Sequence, residues 1–169
     1  YTMRLIKLAI LSIIFFAMLI TGISLFFPAH IRISKAINIA AGRETILGEV
    51  NDISKWKNWY PGFDTLTLQN PERKEDRIVS AVSAGIPIAI TNSVPGEVKA
   101  SFRPGKKKTV YSGWRTVNYR HTDSTTLQWY MDFDLRWYPW EKFSSLLLEK
   151  NYGPLMEKGL ENLKALLEK

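Results

Sequence analysis

The chain has 169 residues, of which 46% are hydrophobic and 23% are charged, a composition typical of one folded domain with a substantial core. It contains no cysteine, which excludes disulfides, thiolate nucleophiles and cysteine-based zinc sites. The formal net charge is +7, which favours anionic neighbours such as lipid headgroups or nucleic acid.

The first element is an uncharged apolar segment, "LAILSIIFFAMLITGISLFF", from Leu8 to Phe27. As a helix, a segment of this length rises about 30 Å, which is the thickness of a bilayer core. We therefore expect residues 1–28 to form one uncleaved transmembrane anchor, with a cleaved signal peptide as the alternative. Arg4 and Lys7 favour a cytoplasmic N-terminus and a domain on the non-cytoplasmic side, although two basic residues after the segment weaken this bias.

A strand and two short helical segments follow the apolar segment. Isoleucines alternate with polar residues in "HIRISKAINI", residues 30–39, which predicts a strand with one buried face. Residues 43–51 carry apolar side chains at helical spacing, and a second helical turn over residues 53–59 ends at Pro61-Gly62. Because so few residues separate this strand from the apolar segment, the domain must lie close to the membrane.

About six strand-like runs come next, and the last of them has the clearest alternation. The runs are at Leu66–Leu68, Ile78–Val79, Ile86–Ile90, Val98–Phe102, 109–120 and 126–137, with "PERKEDR" (71–77) and "HTDS" (121–124) as turns. Pro87 indicates an edge strand or the start of a strand. In the last run Leu127, Trp129, Met131, Phe133, Leu135 and Trp137 share one face. This pattern predicts an antiparallel sheet that is covered on one side.

The chain closes with an amphipathic helix. Apolar residues recur at spacings of four, three and four from Met156 to Leu167, as expected for a helix with one buried face. Gly159 within it costs about 1 kcal/mol relative to alanine, and a close approach of helix to sheet would explain it. Gly153-Pro154 is predicted to separate this helix from a shorter one over residues 140–150. The fold class is α+β, with a strongly curved antiparallel sheet around the terminal helix.

Three stretches of the sequence resemble the START-like, or SRPBCC, superfamily and its polyketide cyclase/dehydrase group. They are "DISKWKNWYP" with its W-x-x-W-x-P element, "TLQWYMDF" in the last strand, and "GLENLK" in the terminal helix. The resemblance covers about residues 30–168 and implies a helix-grip fold over residues 29–169. It also implies a cavity between the sheet and the helix, in which members hold lipids, sterols, aromatic polyketides or other hydrophobic molecules, and some catalyse cyclisation. The activity stays open, because one fold supports many functions.

Within such a fold we expect a small set of residues to line the cavity. They are Trp59, Tyr119, Trp129, Met131, Phe133, Leu135, Met156 and Leu160. Each could instead be plain core, since aromatic residues usually serve as packing mass. For Trp56, Trp59 and Tyr60 we expect mainly packing, with a lid over one end of the cavity as the alternative.

The residues that could carry catalysis or bind a metal ion are few. The chain has two histidines: His30 lies at the membrane boundary, and His121 lies beside Asp123 in a predicted turn. We therefore predict no catalytic residue, no metal site and no cofactor. If the chain were nevertheless an enzyme of the cyclase or dehydrase kind, an ionisable group would have to lie inside the cavity, with Arg115, Tyr119 and Tyr130 as the first candidates.

The sequence thus predicts a membrane-anchored START-like domain that binds a small hydrophobic or lipid-like molecule without catalysis. A cyclase- or dehydrase-type enzyme and a protein-interaction domain with a filled core are the alternatives. Lys106, Lys107 and Lys108 form a basic hairpin tip, which is either a solvated turn or a contact with anionic lipid. Nucleic-acid binding is not expected, because the basic residues are scattered and an anchor confines the domain to the membrane. The sequence does not indicate an oligomeric state.

Overall fold

The computed structural model describes residues 2–105, 108–118 and 124–169. The helices are α1 (Thr2–Ser24), α2 (Arg43–Val50), α3 (Pro139–Ser144) and α4 (Leu148–Leu167), with 3₁₀ turns at Ile53–Asn58 and Ser145–Leu147. The strands are β1 (His30–Ile39), β2 (Leu68–Lys74), β3 (Arg77–Ser83), β4 (Ile86–Val94), β5 (Glu97–Phe102), β6 (Val110–Asn118) and β7 (Thr125–Asp134). The predicted order of one strand, two short helical segments, six strands and a long terminal helix is confirmed.

The seven strands form one curved antiparallel sheet in the order β1-β7-β6-β5-β4-β3-β2. Strands β2 to β7 follow one another as a meander, and β1 closes the sheet beside the last strand, with His30 opposite Asp134 and Ile39 opposite Thr125. In β7, Leu127 and Trp129 are fully buried, because their face of the sheet is covered while the opposite face carries polar side chains. The predicted one-sided antiparallel sheet is therefore confirmed.

Helix α4 packs across the covered face of the sheet, mainly on β1 and also on β7. Gly159 lies at the closest approach, since a Cβ there would be 2.7 Å from Cζ3 of Trp129. Lys35 of β1, opposite Trp129 of β7, binds Glu149 and Glu157 of α4 through Nζ–O distances of 2.7 and 2.9 Å. These hydrogen bonds raise the pKa of the Lys35 ammonium group. The helix-grip arrangement is confirmed.

Two details of the predicted strands are wrong. The charged segment 71–77 is not a turn, since β2 runs to Lys74 and only Glu75 and Asp76, both with positive φ, lie between β2 and β3. Edge strand β2 accommodates Pro71 at an irregularity in its pairing with β3, where a missing N–H costs least. At the other end, β7 stops at Asp134, so Trp137 lies beyond the strand and is 65% exposed.

The break between the two C-terminal helices is also misplaced. Helix α4 starts at Leu148 and continues through Gly153 and Pro154, while the break lies at the 3₁₀ turn Ser145–Leu147. Pro154 is exposed, so its ring meets solvent rather than the sheet, and the helix loses only the hydrogen bond that the missing N–H would make.

Helix α1 is long and apolar enough to cross a membrane, with a mean hydropathy of 2.4 and none of its apolar stretch buried. Helix α1 contacts α3. The buried ammonium group of Lys142 donates a hydrogen bond to the backbone oxygen of Phe27 (2.6 Å), and the rings of Phe27 and Phe143 lie 5.4 Å apart. Lys142 thus places a positive charge next to the C-terminal end of α1, where the helix dipole is negative.

Candidate functional site

A cluster of aromatic side chains occupies the space between the sheet and the 3₁₀ turn Ile53–Asn58. Its members are Trp56, Trp59, Tyr60, Phe63, Phe102, Trp114 and Trp129, with ring centroids between 4.7 and 6.3 Å apart in the contacting pairs. The indole N–H of Trp56 donates to the backbone oxygen of Val50 (2.8 Å), and that of Trp129 donates to Oγ of Ser112 (2.7 Å). Rings that are satisfied in this way act as packing mass.

One polar atom of the cluster is an exception. Nε1 of Trp114 is buried and has no hydrogen-bond partner among the described residues. An unpartnered buried donor costs about 1–3 kcal/mol, so a water molecule or a polar ligand atom that reached it would gain a hydrogen bond.

The residues expected to line a cavity fall into two groups. Trp59, Trp129, Met131, Met156 and Leu160 are buried between the sheet and the helical layer, each with at most 4% of its surface exposed. Trp129 packs directly against α4 at Gly159, so a ligand at that level would have to displace side chains. Phe133 and Leu135, at the end of β7, line an open cleft instead. Tyr119 lies outside the described residues.

The cleft opens between the end of β7, the start of β6 and the first two turns of α4. It has a volume of about 260 Å³ and is lined by Pro104, Lys108, Thr109, Val110, Phe133, Asp134, Leu135, Leu148 and Tyr152. The rings of Phe133 and Tyr152 lie 4.9 Å apart and join its sheet side to its helix side. Most of the lining is apolar, and Lys108, Thr109 and Asp134 supply the polar groups. Such a lining suits an apolar molecule that carries one polar end.

The cleft lies at the end of the domain that faces α1. The backbone N–H of Leu135, a lining residue, donates to the backbone oxygen of Ala29 (2.7 Å), which directly precedes β1. Leu148, another lining residue, begins α4 after the 3₁₀ turn that follows α3, the helix that contacts α1. The cleft and the end of the apolar helix are thus neighbours.

Tyr152 of the cleft interacts electrostatically with Tyr60 of the aromatic cluster. Burial raises the pKa of the Tyr60 hydroxyl far above its usual range, and electrostatic interaction with Tyr152 raises it further. The Tyr60 phenol is therefore neutral near pH 7 and carries no negative charge.

Arg115 and Tyr130, two of the three candidates for catalysis, lie on the outer face of the sheet. The Tyr130 hydroxyl donates to Oε1 of Glu97 (2.8 Å), and the Arg115 guanidinium binds the same oxygen (3.0 Å). Arg32 lies 4.2 Å from the centroid of the Tyr130 ring and forms two hydrogen bonds to Asp132. Placing Arg115 and Tyr130 inside a cavity is therefore wrong.

The charges of this outer network shift its pKa values in consistent directions. Burial and the hydrogen bond to Glu97 raise the pKa of Tyr130 to about 12. Burial also acts to raise the pKa of Glu97, but the Tyr130 hydroxyl, Lys99 and Arg115 outweigh it, so that the pKa is lowered. The hydrogen bond from Arg32 is the main cause of the lowered pKa of Asp132. The side chains of this network link the four strands β1, β7, β6 and β5 on the outer face of the sheet.

His30 and Lys108 approach the cleft from the surface. Nδ1 of His30 lies 2.9 Å from Oδ1 of Asp134, and both side chains are more than half exposed. Lys108 is exposed at the rim of the cleft, whereas Lys106, Lys107, His121 and Asp123 lie outside the described residues. Within the described ranges no group of three or more acidic or histidine side chains could hold a metal ion.

Besides Lys108, for which contact with anionic lipid was considered, six lining residues were not predicted from the sequence to line a cavity: Pro104, Thr109, Val110, Asp134, Leu148 and Tyr152. Leu148 and Tyr152 precede Met156 by two helical turns and one, so they extend the apolar stripe of α4. The assumed break at Gly153-Pro154 concealed this continuation. Pro104 and Thr109 lie in the connection between β5 and β6, where no periodic pattern marks the side chains that turn inward.

Comparison with known proteins agrees with this geometry. The family model described as "polyketide cyclase / dehydrase and lipid transport" matches residues 30–168. No curated protein matches the sequence. Among solved structures, a START superfamily protein from Mycobacterium smegmatis is 20% identical, with a TM-score of 0.62 over 81% of this chain and 97% of that chain.

Two further solved structures have the same fold. A protein from Thermobifida fusca is 16% identical, with a TM-score of 0.60 over 81% of this chain and 91% of that chain. CalU16 from Micromonospora echinospora is 14% identical, with a TM-score of 0.54 over 80% of this chain and 73% of that chain. At these identities the likeness concerns the fold, while the family model spans nearly all of the sheet and α4. The chain belongs to the polyketide cyclase/dehydrase and lipid transport family, and its fold is the START-like helix-grip.

Proposed function

We propose that this protein is a membrane-anchored START-like domain that binds an apolar, lipid-like molecule without transforming it. Helix α1 is the anchor, and Arg4 and Lys7 before it favour a domain on the non-cytoplasmic side. The observation that carries the proposal is the apolar cleft of about 260 Å³ beside the end of α1. Family membership adds support, since the family description includes lipid transport.

The lining of the cleft indicates the kind of ligand. Phe133, Leu135 and Leu148 offer apolar contact, while Lys108 and Thr109 lie at the rim with a cation and a hydroxyl. The volume is slightly below the range of about 300–1,000 Å³ that is usual for sites of drug-sized molecules. We infer that one acyl chain or a comparably slender apolar group enters the cleft, and that an acidic or polar end remains near Lys108.

The experiment is to measure oleate binding to the full-length protein in detergent, by native mass spectrometry and by titration. Leu135→Lys introduces a charge into the apolar lining, and we expect it to weaken binding about tenfold or more, which corresponds to roughly 1.4 kcal/mol. The matched control is Leu66→Lys, because Leu66 is an exposed leucine (37%) that does not line the cleft. The control also corrects for partition of oleate into detergent, which both variants share.

Equal loss or equal retention of oleate in the two variants would contradict the cleft as the binding site. If the wild-type protein binds neither oleate nor any co-purifying lipid, the proposed function is wrong. Near-ultraviolet circular dichroism of each variant should match that of the wild type, which separates loss of binding from loss of folding.

A protein-interaction role is the second candidate, and the packed aromatic core favours it. Trp56, Trp114 and Trp129 fill the level of the fold where the resemblance implies a cavity. In that case the outer face of the sheet would meet a protein partner and the cleft would remain empty. Binding of oleate that is weakened by Leu135→Lys but not by Leu66→Lys would rule against this candidate.

A further inference from the structure

A patch of exposed apolar side chains lies where the domain meets α1. Beyond residue 28, nine large hydrophobic residues of the described chain are exposed, and five of them fall within residues 137–147: Trp137 (65%), Trp140 (66%), Phe143 (38%), Leu146 (64%) and Leu147 (55%). We call these five residues the α3 patch. The ring of Tyr138 lies against the patch, because it stacks on the ring of Trp140 with a centroid distance of 4.8 Å and an interplanar angle of 6°. Clustering of this kind marks an interaction surface, whereas isolated exposed apolar residues do not.

The position of the α3 patch relative to α1 is fixed by two contacts. Lys142 donates to the backbone oxygen of Phe27, and Phe143 packs on the ring of Phe27. The uncharged stretch that ends at Phe27 matches the thickness of a bilayer core, so Phe27 lies at the boundary between hydrocarbon and headgroups when α1 spans a membrane. Helix α3, which is held beside it, lies at the same depth.

The composition of the patch matches that depth. Tryptophan and tyrosine concentrate at membrane interfaces, where the ring contacts acyl chains while the polar atom reaches water or headgroups. The ammonium group of Lys142 and the ion pair of Arg136 with Glu141 (3.9 Å) lie in the same segment, and charged groups with long apolar stems suit this zone. A second protein surface would have to compete with the lipid that already surrounds α1 there.

We propose that the α3 patch is a second membrane contact, which inserts into the headgroup region of the bilayer beside the end of α1. The occupant of this surface is lipid. The patch holds the domain in one orientation, with the mouth of the cleft facing the bilayer, because Leu147 of the patch directly precedes Leu148 of the cleft lining. This inference rests on α1 as the anchor in the proposed function, but it does not depend on any bound ligand.

The tryptophans of the chain provide the test. Of six tryptophans, Trp56, Trp59, Trp114 and Trp129 are at most 1% exposed, and Trp137 and Trp140 belong to the patch. The full-length protein, without ligand, is reconstituted into vesicles of phosphatidylcholine that carries bromine on the upper part of the acyl chain. Flotation first establishes that the protein is inserted. The tryptophan emission of the wild-type protein is then compared with that of the double variant Trp137→Phe/Trp140→Phe. The difference between the two emissions comes from the two tryptophans of the patch.

We expect brominated lipid to reduce this difference emission about twofold or more, relative to vesicles of the same lipid without bromine. Acrylamide in the aqueous phase should quench it weakly. As a control, Val117→Trp is placed in the double-variant background, because Val117 is exposed (39%) at the end of β6 remote from the cleft. The emission of the tryptophan introduced at this position should be quenched by acrylamide and not by brominated lipid.

Two outcomes would overturn the inference. Strong quenching of the difference emission by acrylamide, without quenching by brominated lipid, would show that the patch faces water. Quenching by neither agent would show that protein covers it, as in contact with a second copy of the chain. In both cases flotation and oleate binding would be unaffected, so failure of this inference is distinguishable from failure of the proposed function.

Discussion

The absence of a side chain at Gly159 allows α4 to lie close to the sheet. Glycine in the interior of a helix normally costs about 1 kcal/mol relative to alanine, so an alanine there would usually stabilise the protein. A Cβ at this position, however, would lie 2.7 Å from the Trp129 ring and 3.1 Å from Cδ of Pro61. The Trp129 ring is held by its hydrogen bond to Ser112, so it cannot move away without losing that bond.

We therefore expect Gly159→Ala to lower the free energy of unfolding by about 1–3 kcal/mol, because overpacking outweighs the gain in helix propensity. Gly48 in α2 is the matched control, since a Cβ there meets no atom within 4 Å. Gly48→Ala should raise the free energy of unfolding by up to about 1 kcal/mol. Chemical unfolding of the full-length protein in detergent, followed by tryptophan emission, measures both. Stabilisation by both variants would contradict the close contact.

The sequence allowed the close approach at Gly159 to be predicted, because a glycine in an otherwise regular apolar stripe demands a reason. It did not allow the pairing of Gly113 with Tyr130 to be predicted. A side chain at Gly113 would collide with the Tyr130 ring, which crosses from β7 to β6. Two residues far apart in the sequence meet here only because the register brings them opposite each other, and alternation within one strand does not define that register.

At the scale of elements, α4 shows where local signals fail. Gly153-Pro154 has the composition of a break, yet the helix runs through it. Gly153, Met156 and Leu160 are buried on one face, and Tyr152 packs on Phe133 of the sheet. Packing of this continuous face outweighs the hydrogen bond lost at Pro154, since most helical stability in proteins comes from tertiary packing. Because a break was predicted at Gly153-Pro154, Leu148 and Tyr152 on the helix side of the cleft were not predicted to line it.

This interpretation predicts that Pro154 is a cost that the fold tolerates rather than a required hinge. Pro154→Ala restores the missing N–H on an exposed face, and we expect it to raise the free energy of unfolding by about 1–3 kcal/mol. The control is Lys158→Ala, one turn further along the exposed face of α4, which should change the free energy by less than about 0.5 kcal/mol. Thermal unfolding with circular dichroism reports both. Destabilisation by Pro154→Ala would contradict this interpretation.

At the scale of the whole molecule, the short connection between α1 and β1 is the unusual feature. Ala29 binds Leu135 of the cleft, and Phe27 binds α3, so the domain is held at the end of α1 rather than on a flexible tether. If the ligand arrives from the bilayer, this geometry should accelerate loading without changing affinity. Equilibrium binding depends on the cleft alone, whereas the rate depends on how often the mouth of the cleft meets lipid.

Insertion of eight Gly/Ser residues between Pro28 and Ala29 separates the effect on ligand affinity from the effect on loading rate. A flexible linker of that length has a root-mean-square span of about 16 Å, which releases the domain from α1 and, in the arrangement proposed above, releases α3 from the membrane interface. We expect the equilibrium affinity for oleate to change less than about twofold, and transfer of a fluorescent fatty acid from vesicles to slow about tenfold or more, because the effective concentration of lipid at the mouth of the cleft falls. Stopped-flow energy transfer from the protein tryptophans measures the rate.

The control inserts the same sequence between Glu75 and Asp76, an exposed hairpin tip that should tolerate it. An unchanged transfer rate after the first insertion would mean that the cleft loads from the aqueous phase, and the fixed orientation of the domain would then have no role in ligand uptake.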